Sequence, residues 1–108
     1  MIVRSVKTFW VYMLRCADDS YYIGVTSNIE QRIAQHHYGT YRSCYTFTRR
    51  PLELVFAEES NTPEQAFFVE KRLKGWSRAK KSALARKDWP EIQRLARSWR
   101  GHPSTGSG

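Results

Sequence analysis

From Phe9 to Leu14 the chain reads FWVYML, apolar at every position before Arg15, which suits a strand covered on both faces and predicts a first strand over residues 9–16. A second apolar run, YYIGVT over residues 21–26, is aromatic and β-branched, and the polar residues between the two make a hairpin the simplest connection. Loop length decides which faces the side chains take. A two-residue Asp18-Asp19 turn would send Tyr12 and Tyr22 to opposite faces, whereas a three-residue Asp18-Asp19-Ser20 loop pairs Cys16 with Tyr22 and brings both tyrosines to one face. Such a loop wants a left-handed residue, a conformation that Asp tolerates.

Beyond the hairpin the period changes. Ser27-Asn28-Ile29-Glu30 has the form of a capping box and predicts a helix over about 28–37, with Ile29 and Ile33 on its apolar side and Tyr38-Gly39 as its stop. Residues 38–51 show no clean period; basic and aromatic side chains alternate there as in a long functional loop. LELVFAE, residues 52–58, is the third strand. Thr62-Pro63-Glu64-Gln65 opens a second helix with the stripe Ala66, Val69, Leu73 and Trp76. A third helix begins near Ser77, and a fourth at the capping box Asp88-Trp89-Pro90-Glu91, with Ile92, Leu95 and Trp99 as its stripe. The small, polar GHPSTGSG of residues 101–108 reads as a disordered tail. With no repeat and no linker, the pattern predicts one domain over residues 1–100, of the α/β (α+β) class: a small three-stranded, mainly antiparallel sheet flanked by helices.

Composition adds a partner to this picture. A chain of 108 residues with 41% hydrophobic content can build one core, and a net charge of +8 with a pI near 9.9 favours phosphate-bearing partners, nucleic acid first among them. Lys71, Arg72, Lys74, Arg78, Lys80, Lys81, Arg86 and Lys87 fall within 17 residues and form either a phosphate-contacting face or a merely solvated one. Cys16 and Cys44 have neither disulfide-scaffold nor zinc-site spacing and read as reduced thiols. The longest apolar run is too short for a signal peptide or a membrane span, so the expectation is a cytoplasmic protein with no membrane partner.

Several residues stand out against this background. Arg32 and His36 are four apart, about 40° around a helix, so they can act on one group together. His36 lies close to the direction of Ile29; a core histidine with a satisfied hydrogen bond beside a snorkelling arginine would also fit. His37 points further from Arg32. Glu70 falls between Ala66 and Leu73 on an apolar stripe, where a carboxylate is costly unless it is salt-bridged or holds a divalent cation. Tyr12 and Tyr22, each taken alone, read as core aromatics whose hydroxyls reach the sheet edge.

The order of these features carries more than any one of them. VYMLRCADDSYYIGVTSNIEQRIAQH, then YTFTRRPLELVFAE, then AFFVEKRLKGWSRAKKSAL together resemble the GIY-YIG nuclease superfamily, in particular its small single-domain bacterial group, over about residues 8–85. The resemblance implies that Tyr12 and Tyr22 are the two motif tyrosines, Arg32 the motif arginine, His36 the motif histidine and Glu70 the ligand of a single Mg²⁺ or Mn²⁺. It implies a metal-dependent endonuclease acting on DNA phosphodiester bonds, with structured junctions, flaps or nicks as substrates and a link to repair or recombination. Arg49, Arg50, Lys74, Arg78, Lys80 and Lys81 would then contact the DNA backbone. Arg32 would stabilise the developing oxyanion, and His36 with Tyr12 would position or deprotonate the attacking water, while Tyr22 would orient water or phosphate. The choice of general base stays open between these groups. Three departures stand out: Trp10-Val11-Tyr12 replaces Gly-Ile-Tyr, Asp19 stands where close relatives carry glycine, and the asparagine that larger members place beyond the glutamate helix has no clear counterpart. A non-catalytic nucleic-acid-binding domain would share the basic surface without needing Glu70, and a protein-interaction module rests on the aromatic content alone; a protein partner and the oligomeric state are left open.

Overall fold

The computed structural model describes residues 8–100, with side chains through residue 96, so the tail proposed for 101–108 and the stripe residue Trp99 lie outside what it describes. Three strands, β1 (Phe9–Arg15), β2 (Tyr21–Thr26) and β3 (Glu53–Ser60), form an antiparallel sheet in the order β2-β1-β3. Four helices accompany it: α1 (Ile29–Tyr38), α2 (Pro63–Lys74), α3 (Arg78–Ala85) and α4 (Trp89–Arg100). The expected α+β class and three-stranded sheet are therefore present. A short 3₁₀ turn, Phe47–Arg49, punctuates the long loop between α1 and β3.

The chain divides into two compact units, one ending at Gly75 and the other starting at Trp76. In the first unit β1 is the central strand, and Val11, Tyr12, Met13 and Leu14 are all fully buried. Side chains alternate across a strand, so burial of four in succession means that both faces are covered, as the unbroken apolar run requires. On one face Tyr12, Leu14, Cys16 and Leu52 form a core against which Tyr22, Ile29 and Ile33 pack. α2 packs against the sheet and buries Ala66 and Leu73. In the second unit α3 and α4 pack on each other, Ser77 and Asp88 cap their first turns, and the Lys80 ammonium lies 4.3 Å from the centre of the Trp76 ring.

The hairpin corrects the expected register. The loop has three residues, but they are Ala17-Asp18-Asp19: Asp19 N–H bonds to Cys16 O at 2.9 Å, and Cys16 N–H bonds to Ser20 O at 2.8 Å. Leu14 therefore pairs with Tyr22, where Cys16 had been expected, a slip of two residues that keeps every side chain on its face. The left-handed position is Asp19, with φ 65°. The Asp18 carboxylate fixes this geometry by accepting from both the Ser20 hydroxyl and its backbone N–H, at 2.6 and 3.1 Å. The cap of α1 is also one residue later than expected. Asn28 rather than Ser27 accepts from Gln31 N–H, at 3.1 Å, and Gly39 closes the helix at φ 69°. The cap predicted for α2 is present, with Thr62 accepting from Gln65 N–H at 3.2 Å ahead of Pro63.

Candidate active site

β1 and β2 carry Tyr12 and Tyr22 to the sheet face that meets α1. Their ring centroids are 6.2 Å apart, and the His36 ring meets both edge-on, 5.7 Å from Tyr12 and 5.1 Å from Tyr22. The Tyr12 hydroxyl lies 2.9 Å from His36 Nε2, a buried hydrogen bond between side chains 24 residues apart. On its other side, His36 Nδ1 lies 2.8 Å from the hydroxyl of Thr46. Tyr12 and Thr46 are essentially inaccessible to solvent, and His36 is 6% exposed. The histidine on the apolar side of α1 is therefore buried and satisfied, and its partner is a motif tyrosine.

Two residues that make this arrangement possible were not singled out from sequence. Gly24 stands directly across the ladder from Tyr12, and a Cβ there would come within 2.6 Å of the Tyr12 hydroxyl oxygen. Its bare backbone makes room for the ring. The predicted register would have set Thr26 opposite Tyr12, hiding this reason for the glycine. Thr46 comes from the aperiodic loop, where spacing gives no warning of a buried hydroxyl; the YT pair in YTFTRRP was the available signal.

Charge shapes the pocket further. Burial, then the nearby Tyr22, raises the Tyr12 pKa above the ordinary tyrosine value, although the Arg32 guanidinium beside the hydroxyl opposes both. Burial also raises Tyr22, helped by Cys44 and by the Glu70 carboxylate. His36 moves the other way: burial, then the positive charge of Arg32 and the neighbouring His37, lowers its pKa below 6.5. Both tyrosines are thus protonated and His36 is neutral at pH 7. Burial pushes the Cys44 thiol up, but hydrogen bonds from the Thr46 hydroxyl and backbone, the Tyr22 hydroxyl and the Tyr45 backbone outweigh it and leave the thiol below its ordinary value.

The charged members are held differently. Arg32 donates from Nε to Gln35 Oε1 at 3.2 Å, and Glu70 pairs with Lys74 at 3.0 Å; each partner lies on the same helix. The Glu70 side chain is 19% exposed. Arg49 is anchored, with its guanidinium 3.8 Å from the Tyr45 ring centre while it donates to Asp18 at 3.1 Å and to the Tyr45 carbonyl at 2.8 Å. Tyr45 in turn stacks on Tyr22, with centroids 6.2 Å apart. Arg50 donates to the Phe47 carbonyl at 2.8 Å and remains exposed. Lys74, expected on DNA, is at rest the partner of Glu70, while Arg78, Lys80 and Lys81 lie on α3 in the second unit.

A tyrosine-bearing antiparallel hairpin, an arginine–histidine helix and a glutamate helix, in that order, define a GIY-YIG-type nuclease fold. The model of the GIY-YIG catalytic domain matches residues 8–83, and the chain belongs to that family. Similar proteins include a UPF0213 protein of Natronomonas pharaonis, 43% identical over 69% of this chain and 87% of that protein. The UPF0213 protein YazA of Bacillus subtilis is 39% identical over 71% of this chain and 77% of its own length. The solution structure of the E. faecalis protein EF2693 is similar over 89% of this chain and 91% of that one, at 30% identity and a TM-score of 0.51. The family is one of nucleases, which makes DNA the substrate class; among the described residues no helix is long and apolar enough to cross a membrane.

Proposed function

We propose that this protein is a metal-dependent endonuclease that hydrolyses DNA phosphodiester bonds, and that Tyr12, Tyr22, Arg32, His36 and Glu70 carry the reaction. The observation that bears most weight is the buried Tyr12–His36 hydrogen bond of 2.9 Å with a guanidinium alongside. A raised tyrosine pKa makes Tyr12 a poor base by itself. A neutral histidine within hydrogen-bond reach relieves that difficulty. Substrate and its water must first reach the Tyr12 hydroxyl, which is buried in the free protein; as that water attacks phosphorus, Tyr12 Oη accepts its proton while its own proton passes to His36 Nε2. The hydroxyl thus stays neutral and the charge forms on the imidazole. The leaving oxygen takes its proton from solvent.

Arg32 supplies donors to the oxygens on which negative charge builds, exchanging its Gln35 contact for the phosphate. Tyr22 borders the same space and orients the phosphate or the water. Glu70 is the residue that would hold a Mg²⁺ or Mn²⁺ ion. Among the described residues no cluster of three or more His, Cys, Asp or Glu is placed to hold an ion, so the donor set fits a weak site completed by substrate oxygens and water. The ion, when bound, supplies positive charge against the scissile phosphate. Arg50 and the α3 cations Arg78, Lys80 and Lys81 add sequence-independent attraction to the backbone.

Incubation of the protein with branched, flapped and plasmid DNA plus Mg²⁺ or Mn²⁺ tests the proposal. Cleavage that depends on the ion and disappears in Glu70→Ala and Arg32→Ala is the expected result. Binding without cleavage on every substrate would leave a nucleic-acid-binding domain instead.

A further inference from the structure

Thr46 stands at the N-cap of the 3₁₀ turn, where a threonine hydroxyl ordinarily accepts from a backbone N–H, yet it makes no such capping bond. Its hydroxyl instead sits between two side chains, 2.8 Å from His36 Nδ1 and 3.4 Å from Cys44 Sγ. A hydroxyl has one hydrogen to give. That hydrogen is donated to the Cys44 sulfur, so the Thr46 oxygen faces His36 as an acceptor. The lowered Cys44 thiol agrees, since donation from Thr46 is among its causes. His36 must then carry its proton on Nδ1, and Nε2 is left bare toward Tyr12.

We infer that Thr46 is a positioning residue that selects the Nδ1–H tautomer of His36, so that Nε2 can accept the Tyr12 proton. The inference rests on the nuclease reading only for its kinetic consequence; the tautomer itself is a property of the protein without substrate. Were the Thr46 hydrogen turned to Nδ1, His36 would carry its proton on Nε2, directed at the Tyr12 oxygen, and the histidine could not act as the acceptor. Cys44 is the reason it does not turn. The thiol is a soft acceptor that keeps the threonine hydrogen occupied at 3.4 Å. A tyrosine, a histidine, a threonine and a cysteine thus form one directed chain of hydrogen bonds from the site into the loop.

Nitrogen-15 NMR of the imidazoles reads the tautomer directly, in wild type, Thr46→Val, Thr46→Ser and Cys44→Ala, with DNA cleavage measured beside it. Wild type and Thr46→Ser should show a protonated Nδ1 and a bare Nε2. Thr46→Val, which keeps the shape and loses the acceptor, should shift the population toward Nε2–H and lower kcat about 10- to 100-fold, part of the roughly 10²- to 10⁴-fold that a positioned acid–base group contributes, with KM changed less than about twofold. Cys44→Ala should raise the Nε2–H fraction by freeing the threonine hydrogen, and it supplies the reading should Thr46→Val not fold. An Nδ1–H tautomer that persists in Cys44→Ala or Thr46→Val, or a wild type already protonated on Nε2, would overturn the inference. The expected tautomers in a protein that cleaves no DNA would overturn the nuclease reading and leave Thr46's role intact.

Discussion

The two halves of the site are held in opposite ways. Tyr12, His36 and Thr46 come from a strand, a helix and a loop, are buried, and bond to one another. Arg32 and Glu70 each bond to a residue three or four positions along the same helix. The first group loses its partners only if the fold opens. The second is held by partners within one helical turn of the same helix and can exchange them without the fold opening, Lys74 being 56% exposed although Glu70 is only 19% exposed. Under the proposed function, the proton-handling half is therefore fixed before substrate arrives, while the charge-bearing half rests on neighbours that phosphate and metal would displace.

This contrast makes separable predictions. The largest effect falls on catalysis through the loosely held half: Arg32→Ala should lower kcat by about 10²- to 10³-fold, as loss of an oxyanion donor does, while folding stability stays within about 0.5 kcal/mol in urea melts. Stability loss as large as that of a buried-half variant would erase the distinction. His36→Ala should lower the rate by about 10²-fold or more and also destabilise by about 1–3 kcal/mol, because the buried hydroxyls of Tyr12 and Thr46 lose their partner. Gly24→Ala sharpens the comparison from outside both groups. Its added methyl meets the Tyr12 ring and should destabilise by about 1–3 kcal/mol, with a loss of activity that tracks displacement of that ring in a structure of the variant.

The smallest effect is a pH dependence. Burial, followed by the charges of Arg32 and His37, holds the folded pKa of His36 below 6.5, so on acidification the unfolded chain takes up this proton first. The contribution is complete above about pH 6.5 and is lost as pH falls toward the lower folded value. Melting temperature measured from pH 7 to pH 5 should therefore decline, and His36→Ala should flatten part of that slope. An unchanged slope would mean that His36 is not the buried, neutral member described here.

Much of the candidate site was legible because its polar groups interrupt the local pattern. Glu70 and His36 are polar groups on apolar helix sides, and Tyr12 sits in an unbroken strand run; each is visible as an exception to the local period. Gly24 and Thr46 interrupt nothing. A glycine in a strand announces a close approach without saying to what, and only the true register places it opposite Tyr12. The hairpin shows the limit well. A three-residue loop with a left-handed Asp could be read from DDS, but two adjacent frames satisfy the same side-chain alternation, and the Asp18–Ser20 hydrogen bonds decide between them.

The sequence by itself determined the elements, the shared face of Tyr12 and Tyr22, and the pairing of Arg32 with His36 on one side of a helix, since periodicity and capping are local properties of neighbouring residues. Tertiary structure alone decided that Tyr12 bonds to His36, that a loop threonine holds the imidazole from its other side, and that Arg32 and Glu70 rest on their own helices. Those contacts join residues distant in the chain or choose among several possible partners, and only packing fixes which side chains meet.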